Sequence, residues 1–403
     1  MAPLAGFDFR GLSDALGAMG ADGWLLFDFR GVNPIAARVL DVHGMGTRRY
    51  FVLLPRAGTP VAVAHKIELA SFDGFPGEVR PYASWKELHA ALEPLVRGRT
   101  LALEVSPADA VPYLDRVPHG VVQLLESFGA QVVSSAPLVT QFAARWSAAE
   151  LAGHRTAAEA IAAVARESLV WAGAELARGQ EVRETTLQRH VLEGFDRAGV
   201  MTDHPPIAAF GPNAANPHYE PQAGADRRLA AGEVLLLDLW AGPPPGRGTV
   251  FADQTWMAFS GGRSDVIDPE VAKVWTAVRD ARDAAVARLQ ERWGTTGTDG
   301  AGRVTGAELD DAARAVIVKA GYGEWFVHRT GHSIDRELHG SGPHIDNFET
   351  ADTRALQPGI GFSVEPGVYL TGRFGVRSEI NVYLDAAGPE VTPSVPQRDL
   401  FVV

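Results

Sequence analysis

Five residues of metal-ligating types, each inside an apolar, strand-like run, constrain this chain more than any other feature of its sequence. In chain order they are Asp238, Asp253, His332, Glu365 and Glu379. Burying four like charges together is tolerable only where cations neutralise them. Hard oxygen ligands with one imidazole suit manganese, cobalt, zinc or iron(II) better than a thiolate site would. The stretch therefore predicts a buried site for a pair of divalent metal ions.

The two aspartates flank a connector that cannot continue a strand. Asp238 closes the apolar run 234–237, and Asp253 lies in a second apolar run. The connector Gly242-Pro243-Pro244-Pro245-Gly246 must turn, because proline has no amide hydrogen to give to a strand ladder. One aspartate alone is typical of an edge strand or a turn. Two in facing strands, where aspartate is unfavourable, favour a site once two glutamates follow in similar contexts.

Three histidines fall within twelve positions, at His328, His332 and His339. The first two are four residues apart, but there is no HExxH motif, and Gly331 between them disfavours a helix interior. A strand-to-loop placement is therefore predicted. A single histidine is more often a hydrogen-bonded structural residue. Three of them near a set of carboxylates favour a site.

The two glutamates among the five candidate ligands, Glu365 and Glu379, have informative neighbours. Glu365 precedes Pro366, so its strand must end or turn there. Arg377 stands two residues before Glu379, and such positions share one side of a strand. The guanidinium is therefore predicted to hydrogen-bond a ligand carboxylate without binding the metal itself, the alternative being a surface ion pair. His218, in the loop-like run Asn216-Pro217-His218-Tyr219, is a further candidate for the site.

The 403 residues predict two domains, 1–145 and 146–403. Apolar runs alternate with turns and helical patterns in the first, which indicates a small α/β domain with a central sheet. Ser147 and Glu150 are spaced as a capping box for an alanine-rich helix. Further helices are predicted near 182–198, 268–292 and 306–320, and the polar connector 294–306 is predicted to be a surface loop.

Composition excludes several other classes of function. The chain has no cysteine, so it has no disulfide and no thiolate metal site. A net charge of -12 without a large basic cluster argues against nucleic acid as a partner. No signal peptide and no membrane-length apolar run is recognised, which predicts a cytoplasmic location without membrane contact. The chain has neither a GxxxxGK[ST] phosphate cradle nor a GxSxG serine nucleophile.

The order and context of the five residues resemble those of the pita-bread metallopeptidases, the family of methionine aminopeptidase, aminopeptidase P and prolidase. Four motifs are similar to the Xaa-Pro peptidase branch: Asn-Pro-His-Tyr at 216–219, the spacing of the three histidines, Glu-Pro-Gly-x-Tyr at 365–369 and Arg-x-Glu at 377–379. The resemblance implies an α+β protein. It would have a C-terminal pita-bread catalytic domain and a smaller N-terminal α/β domain of the creatinase/prolidase kind.

The resemblance also implies how the ligands are shared. Asp238 would hold one metal with both oxygens, and Asp253 and Glu379 would bridge the two metals. His332 and Glu365 would complete the other. Two divalent ions per subunit are expected, with manganese preferred and zinc or cobalt as alternatives.

Further roles follow from the same resemblance. Glu365 would accept and donate the proton. His218, His328 and His339 would line the site and orient the substrate and the tetrahedral intermediate. Arg377 would steady the ligands.

The expected reaction is hydrolysis of the Xaa-Pro bond in small peptides with proline in second position, by a homodimer. An Xaa-Pro dipeptidase (prolidase) is preferred over aminopeptidase P, which acts on longer peptides. A creatinase-type hydrolase and a non-catalytic binding protein of the same fold are remoter alternatives. The chain departs from the family in two places. The aspartates are fifteen residues apart, more than is usual, and Gln254 stands where an aliphatic residue is common.

Overall fold

A computed structural model describes residues 2–42, 46–244, 249–261, 266–293 and 304–403. The chain divides into two compact units, Met1–Ala143 and Ala144–Val403. Within the described residues, no helix combines the length and the apolar character needed to cross a membrane.

The first unit is built on one six-stranded mixed sheet. Its strands are β1 Gly23–Asp28, β2 Tyr50–Pro55, β3 Val61–His65, β4 Glu78–Tyr82, β5 Thr100–Leu103 and β6 Gln131–Ser134, in the spatial order β4-β3-β2-β1-β5-β6. Its helices are α1 Phe9–Met19, α2 Pro34–Leu40, α3 Trp85–Val96, α4 His119–Ser127 and α5 Ala136–Leu138. Along β1, Trp24 and Leu26 enter one apolar core while Leu25 and Phe27 enter another. Both faces of the sheet are therefore covered, as the unbroken apolar runs of its strands require.

In the described part of the second unit, four α-helices accompany three sheets. The helices are α6 Ala148–Ala177, α7 Glu184–Ala198, α8 Pro269–Arg292 and α9 Gly306–Lys319. The strands are β7 Ile207–Phe210, β8 Val234–Ala241, β9 Ala252–Phe259, β10 Ser333–Ile334, β11 Gly361–Val364, β12 Gly367–Leu370, β13 Phe374–Arg377, β14 Ile380–Asp385, β15 Gly388–Thr392 and β16 Phe401–Val402. They form the sheets β16-β9-β8-β7 and β10-β11-β14-β15 and the hairpin β12-β13.

Local signals account for where these helices begin and end. Ser147 Oγ accepts the Glu150 amide hydrogen at 3.2 Å and Glu150 Oε2 accepts that of Ser147 at 2.6 Å, which confirms the predicted capping box. Helix α7 ends at Gly199, whose φ of 68° is one that glycine adopts without strain. The ends of α8 and α9 agree with prediction to within two residues. Residues 294–303 of the connector predicted to be a surface loop lie outside the described part of the chain.

The β8–β9 hairpin explains one of the two departures from the family pattern. Gln254 is fully buried on the face of β9 opposite Asp253. Its Nε2 donates to the Ala158 carbonyl of α6 at 2.9 Å, and its Oε1 accepts from Trp256 Nε1 at 2.8 Å. A polar side chain is tolerated there because both of its ends have partners. Residues 245–248 of the proline-rich connector lie outside the described part of the chain.

A buried histidine joins α6 to two strand ends of the second unit. His154 Nδ1 lies 2.9 Å from the Phe251 carbonyl oxygen and Nε2 lies 2.9 Å from Thr392 Oγ1. The carbonyl can only accept, so Nδ1 carries the proton and Nε2 accepts from the threonine hydroxyl. Burial lowers the pKa of His154 to about 4, which keeps the folded imidazole neutral at neutral pH.

This burial predicts a defined loss of stability in acid. The unfolded chain takes up a proton at His154 near its ordinary pKa of about 6.5, whereas the folded chain does so only near 4. The stabilisation is therefore complete above about pH 6.5 and is lost as the pH falls towards 4. Its full size is about 3 kcal/mol. Urea unfolding of the wild type and of His154→Gln at several pH values between 7 and 4 measures it. The variant should show the smaller decrease in unfolding free energy, and parallel curves would contradict the assignment.

Candidate metal centre

Asp238 and Asp253 enter the site from one face of the β8–β9 hairpin. In β8, Leu235, Leu237 and Leu239 pack into the core that includes α6 and α7, so Asp238 faces the other way. Asp238 pairs with Thr255, and Asp253 pairs with Trp240. The two aspartates are thus diagonal neighbours rather than direct partners. Both carboxylates therefore extend from the same face of the hairpin, close to each other.

The other three candidate ligands stand at strand ends of the neighbouring sheet. His332 immediately precedes β10, Glu365 immediately follows β11 and Glu379 immediately precedes β14, and these three strands are adjacent. A polar side chain at a strand end can reach the site without interrupting the backbone hydrogen bonds of the strand. One expectation was wrong: Arg377 and Glu379 do not share a strand, because β13 ends at Arg377 and β14 begins at Ile380.

The structure brings donor atoms of four of these residues together and places Asp238 beside them. His332 Nε2 lies 3.3 Å from Asp253 Oδ2 and 3.4 Å from Glu365 Oε1. One donor atom each from Asp253, His332 and Glu379 fall within 4.8 Å of one another. Asp238 and Glu365 lie close enough for the charge of each to act on the others. All five are buried except Glu365, whose side chain is 15% exposed.

Arg377 reaches two of the carboxylates, one directly and one through a threonine. Its Nη2 donates to Asp238 Oδ2. Its Nε donates to Thr255 Oγ1 at 2.8 Å, and the Thr255 hydroxyl donates to Glu379 Oε2 at 2.8 Å. Sequence reasoning missed Thr255. The available signal was its position two residues after Asp253, on the same face of the strand.

Asn381 is a second residue that sequence reasoning missed. Its Oδ1 accepts the Asp253 amide hydrogen at 2.9 Å, and its Nδ2 donates to the Asp253 carbonyl at 2.8 Å. Both groups of the Asp253 backbone are therefore fixed to β14, the strand that follows Glu379. Asparagine is unfavourable inside a strand whose neighbouring residues are buried, and that was the available signal.

When all four are ionised, the carboxylates carry more negative charge than Arg377 and His332 offset. Burial raises the pKa of Asp238, Asp253 and Glu379, and the neighbouring carboxylates raise it further. Burial also acts to raise the pKa of Glu365, but His332 and Arg377 outweigh it and lower that pKa. Arg377 and His332 thus balance only part of the set. The remaining excess is what bound cations would neutralise.

His332 directs Nε2 towards two of the other candidate ligands. Its Nδ1 lies 3.1 Å from the Ser333 carbonyl oxygen, an acceptor, so Nδ1 carries a proton. Burial acts to lower the pKa of His332, but Asp253 and Glu365 outweigh it and raise that pKa, so Nε2 also holds a proton, which a bound divalent ion would replace. Four carboxylates and one imidazole nitrogen fit a divalent ion such as manganese, cobalt, zinc or iron(II). The residues present therefore fit the predicted metals.

The three further histidines differ in their surroundings. The ring centroid of His339 lies 4.2 Å from that of His332, whose positive charge, together with burial, lowers the pKa of His339 to about 3. His218 is exposed and lines a cavity of about 410 Å³ that also includes Trp240. His328 is half-buried, with Nδ1 2.6 Å from the Arg329 carbonyl oxygen and Nε2 2.8 Å from the Tyr369 hydroxyl.

These surroundings separate the histidines by chemical state. Burial lowers the pKa of His328, and its Nδ1 proton is directed to a carbonyl, so Nε2 accepts from Tyr369. Both ring nitrogens of His328 are therefore engaged by the protein, and the proposed substrate contact would require Tyr369 to give way. His218 and His339 are more exposed than His328, and the His339 ring packs against that of His332. Sequence reasoning quoted Tyr369 within a motif but gave it no role.

A family model described as "Metallopeptidase family M24" matches residues 152–386. The "Probable dipeptidase PepE" of Mycobacterium tuberculosis is 27% identical over 360 residues, which is 87% of this chain and 85% of that protein. The "Xaa-Pro dipeptidase" of Lactobacillus helveticus is 32% identical over 177 residues, 43% of this chain and 40% of that protein.

Solved structures match almost the whole chain. The dipeptidase PepE from Mycobacterium ulcerans has a TM-score of 0.74 at 25% identity and covers 98% of this chain and 96% of its own. The prolidase from Thermococcus sibiricus has a TM-score of 0.66 at 24% identity, with 98% of each chain covered. These likenesses confirm the expected fold, a pita-bread domain preceded by a smaller α/β domain.

Gly331 provides a test of how His332 is held. A Cβ at this position would lie 2.0 Å from the Ser363 carbonyl oxygen of β11, while Gly331 exchanges both backbone hydrogen bonds with Ile345. We expect Gly331→Ala to push the segment away from β11, displace His332 and weaken Mn²⁺ binding about 10- to 100-fold. Equilibrium dialysis with elemental analysis measures this. Gly120→Ala, where a Cβ meets no atom within 4 Å, is the control. Unchanged Mn²⁺ affinity in Gly331→Ala would contradict the placement.

Proposed function

The chain belongs to metallopeptidase family M24, and from that premise we propose that it is an Xaa-Pro dipeptidase using two divalent metal ions. The observation that carries the proposal is that donor atoms of Asp253, His332 and Glu379 lie within 4.8 Å of one another. Glu365 Oε1 lies 3.4 Å from His332 Nε2, and Asp238 stands on the same strand face as Asp253. The ions would be held by Asp238, Asp253, His332, Glu365 and Glu379. Manganese is the proposed metal, and zinc or cobalt would suit the same donors.

When bound, the two ions would lower the pKa of the attacking water and polarise the scissile carbonyl. The protein has to move the proton released by that water. Glu365 is suited to this because His332 and Arg377, acting against burial, keep its pKa low. Ser363 Oγ donates to Glu365 Oε1 at 3.0 Å, which leaves Oε2 to accept the proton and later deliver it to the leaving nitrogen.

The relatives and the neighbouring cavity support the substrate class. Both relatives described above carry the word dipeptidase in their names, and one is an Xaa-Pro dipeptidase. The cavity beside His218 and Trp240 is walled by Pro206, Ile207 and Tyr219, which suits one apolar side chain of a short peptide. Trp240 pairs with Asp253, so this cavity adjoins the metal centre. A homodimer, a cytoplasmic location and the absence of a nucleic-acid partner stay predictions.

The substrate prediction is tested with Mn²⁺-loaded protein and three peptides. We expect hydrolysis of Ala-Pro, with little or no hydrolysis of Ala-Ala or of a longer peptide such as Ala-Pro-Ala-Ala. The reason is that, of the three peptides, only Ala-Pro has a proline in second position that also carries the free carboxylate. Release of alanine is measured by chromatography. Asp253→Asn, which removes one charge from the ligand set, is the inactive control.

Each other outcome points to a different function. Cleavage of the longer peptide at a comparable rate would identify an Xaa-Pro aminopeptidase of the aminopeptidase P kind. Equal cleavage of Ala-Ala would remove the proline requirement. Failure on all three peptides, with metal bound, would contradict the substrate assignment and reopen the creatinase-type and non-catalytic alternatives.

The proton-transfer role of Glu365 predicts a large effect of one conservative substitution. Glu365→Gln keeps the side-chain shape but cannot take a proton, so we expect kcat for Ala-Pro to fall roughly 10²- to 10⁴-fold. Steady-state kinetics on protein with verified metal content measures this. Ser363→Ala, which removes the hydrogen bond to Oε1 and the one that Ser363 Oγ accepts from the His332 amide, should have a smaller effect. Activity of Glu365→Gln within tenfold of the wild type would assign the proton to another group.

A further inference from the structure

Helix α8 directs one buried arginine at the link between two residues of the candidate metal centre. Arg282 is only 1% exposed. Its Nη1 donates to Ser378 Oγ at 2.7 Å, and Ser378 is itself 1% exposed. Ser378 stands in the chain between Arg377, which binds Asp238, and Glu379. One side chain outside the ligand set therefore contacts the residue from which both of these groups diverge.

The link needs such a contact because it lies between two sheets. Strand β13 pairs only with β12, whereas β14 belongs to the sheet with β11 and β15. Ser378 and Glu379 connect them and belong to neither ladder. The Ser378 amide reaches the Pro366 carbonyl at 3.4 Å, the long end of the range for such a bond. The Arg282 contact, by contrast, is short and comes from a charged donor.

The same guanidinium nitrogen also reaches the segment that holds β9. Arg282 Nη1 donates to the Gln397 carbonyl at 2.8 Å. The Gln397 side chain accepts the Met257 amide hydrogen at 2.9 Å and donates to the Met257 carbonyl at 2.7 Å. Met257 lies four residues after Asp253 in β9. Arg282 thus connects the link that carries Glu379 to the strand that carries Asp253.

The rest of the Arg282 guanidinium faces an open cavity. Its Nε and Nη2 donate to Asp283 Oδ1 at 2.9 and 2.7 Å, and the Asp283 side chain is 58% exposed. The cavity has a volume of about 670 Å³ and also includes Arg279 and Arg398. A buried arginine is costly to desolvate and could be replaced by an apolar side chain if only packing were needed. The two hydrogen bonds that Arg282 Nη1 donates go to Ser378 and Gln397, which adjoin or hold the segments that carry candidate ligands.

We propose that Arg282 is a positioning residue of the metal centre. It fixes Ser378 so that the Arg377 guanidinium stays on Asp238 and the Glu379 carboxylate stays beside Asp253. The inference rests on the proposed metal site but not on the proposed substrate. It adds a residue that contacts neither metal nor peptide and acts only through Ser378 and Gln397.

The test compares Mn²⁺ binding by full-length Arg282→Ala and by the unaltered protein. We expect the affinity to fall about 10- to 100-fold, as for other residues that orient ligands. The vacated space joins the open cavity, so millimolar methylguanidinium should restore much of the affinity. Arg279→Ala is the matched control, because Arg279 lines the same cavity but contacts Asp280 and the Arg398 carbonyl instead. It should bind Mn²⁺ normally and show no response to methylguanidinium.

Two further variants separate positioning from general destabilisation. Leu289→Ala, in the buried core of the same helix, should lower Tm while leaving Mn²⁺ affinity unchanged. Ser378→Ala should weaken Mn²⁺ binding in the same direction as Arg282→Ala, and the double variant should be no weaker than Arg282→Ala alone. Should Arg282→Ala not fold, Ser378→Ala carries the test by itself.

The outcomes distinguish this inference from the proposed function. Wild-type Mn²⁺ affinity in Arg282→Ala or in Ser378→Ala would overturn the inference even if Ala-Pro is cleaved. A lowered Tm without a change in Mn²⁺ affinity would do the same, because it shows a purely structural role. Weakened and rescuable Mn²⁺ binding would uphold the inference even if no Xaa-Pro peptide is cleaved.

Discussion

The burial of four carboxylates at one point is the constraint on which the second unit of this chain depends. Like charges removed from water repel one another strongly, and each carboxylate loses its hydration. One arginine, one histidine and several neutral donors contact the carboxylates. These groups offset only part of the negative charge that four ionised carboxylates carry. A metallopeptidase benefits from such a balance, because a site whose protein groups were already neutral would have little attraction for divalent cations.

Holding repelling groups in place requires a rigid backbone, and the hairpin of β8 and β9 supplies one. Leu235, Leu237 and Leu239 of β8 pack in one core with residues of α6 and α7. Asp238 therefore lies on the opposite face of the hairpin. The Asp253 backbone is clamped by Asn381, so the carboxylate cannot retreat by shifting its strand. The remaining ligands lie at strand ends, where a side chain can reach the site without breaking a ladder. Rigid elements thus carry the groups whose positions matter most.

Sequence reasoning succeeded here where the signals were local. Helix caps such as Ser147, the glycine that ends α7 and the proline after Glu365 each act within a few residues. Carboxylates in apolar runs are conspicuous because burial makes them costly. What failed depended on distant pairing: Arg377 was placed in the strand of Glu379, whereas the chain changes sheets between them. Thr255 acquires its role only when strand register brings it between Arg377 and Glu379, residues more than a hundred positions away.

The same reasoning explains why uncharged groups surround a charged site. Strand β9 is held on one edge by β8 and on the other by β16 and by both ends of the Gln397 side chain. Repulsion between Asp253 and Glu379 therefore acts against hydrogen bonds on both edges of the strand rather than against one flexible loop. Neutral donors suit this task better than further cations, because added positive charge would compete with the metals for the same carboxylates. The carboxylate of Asp253 is therefore carried by a strand that is hydrogen-bonded along both of its edges.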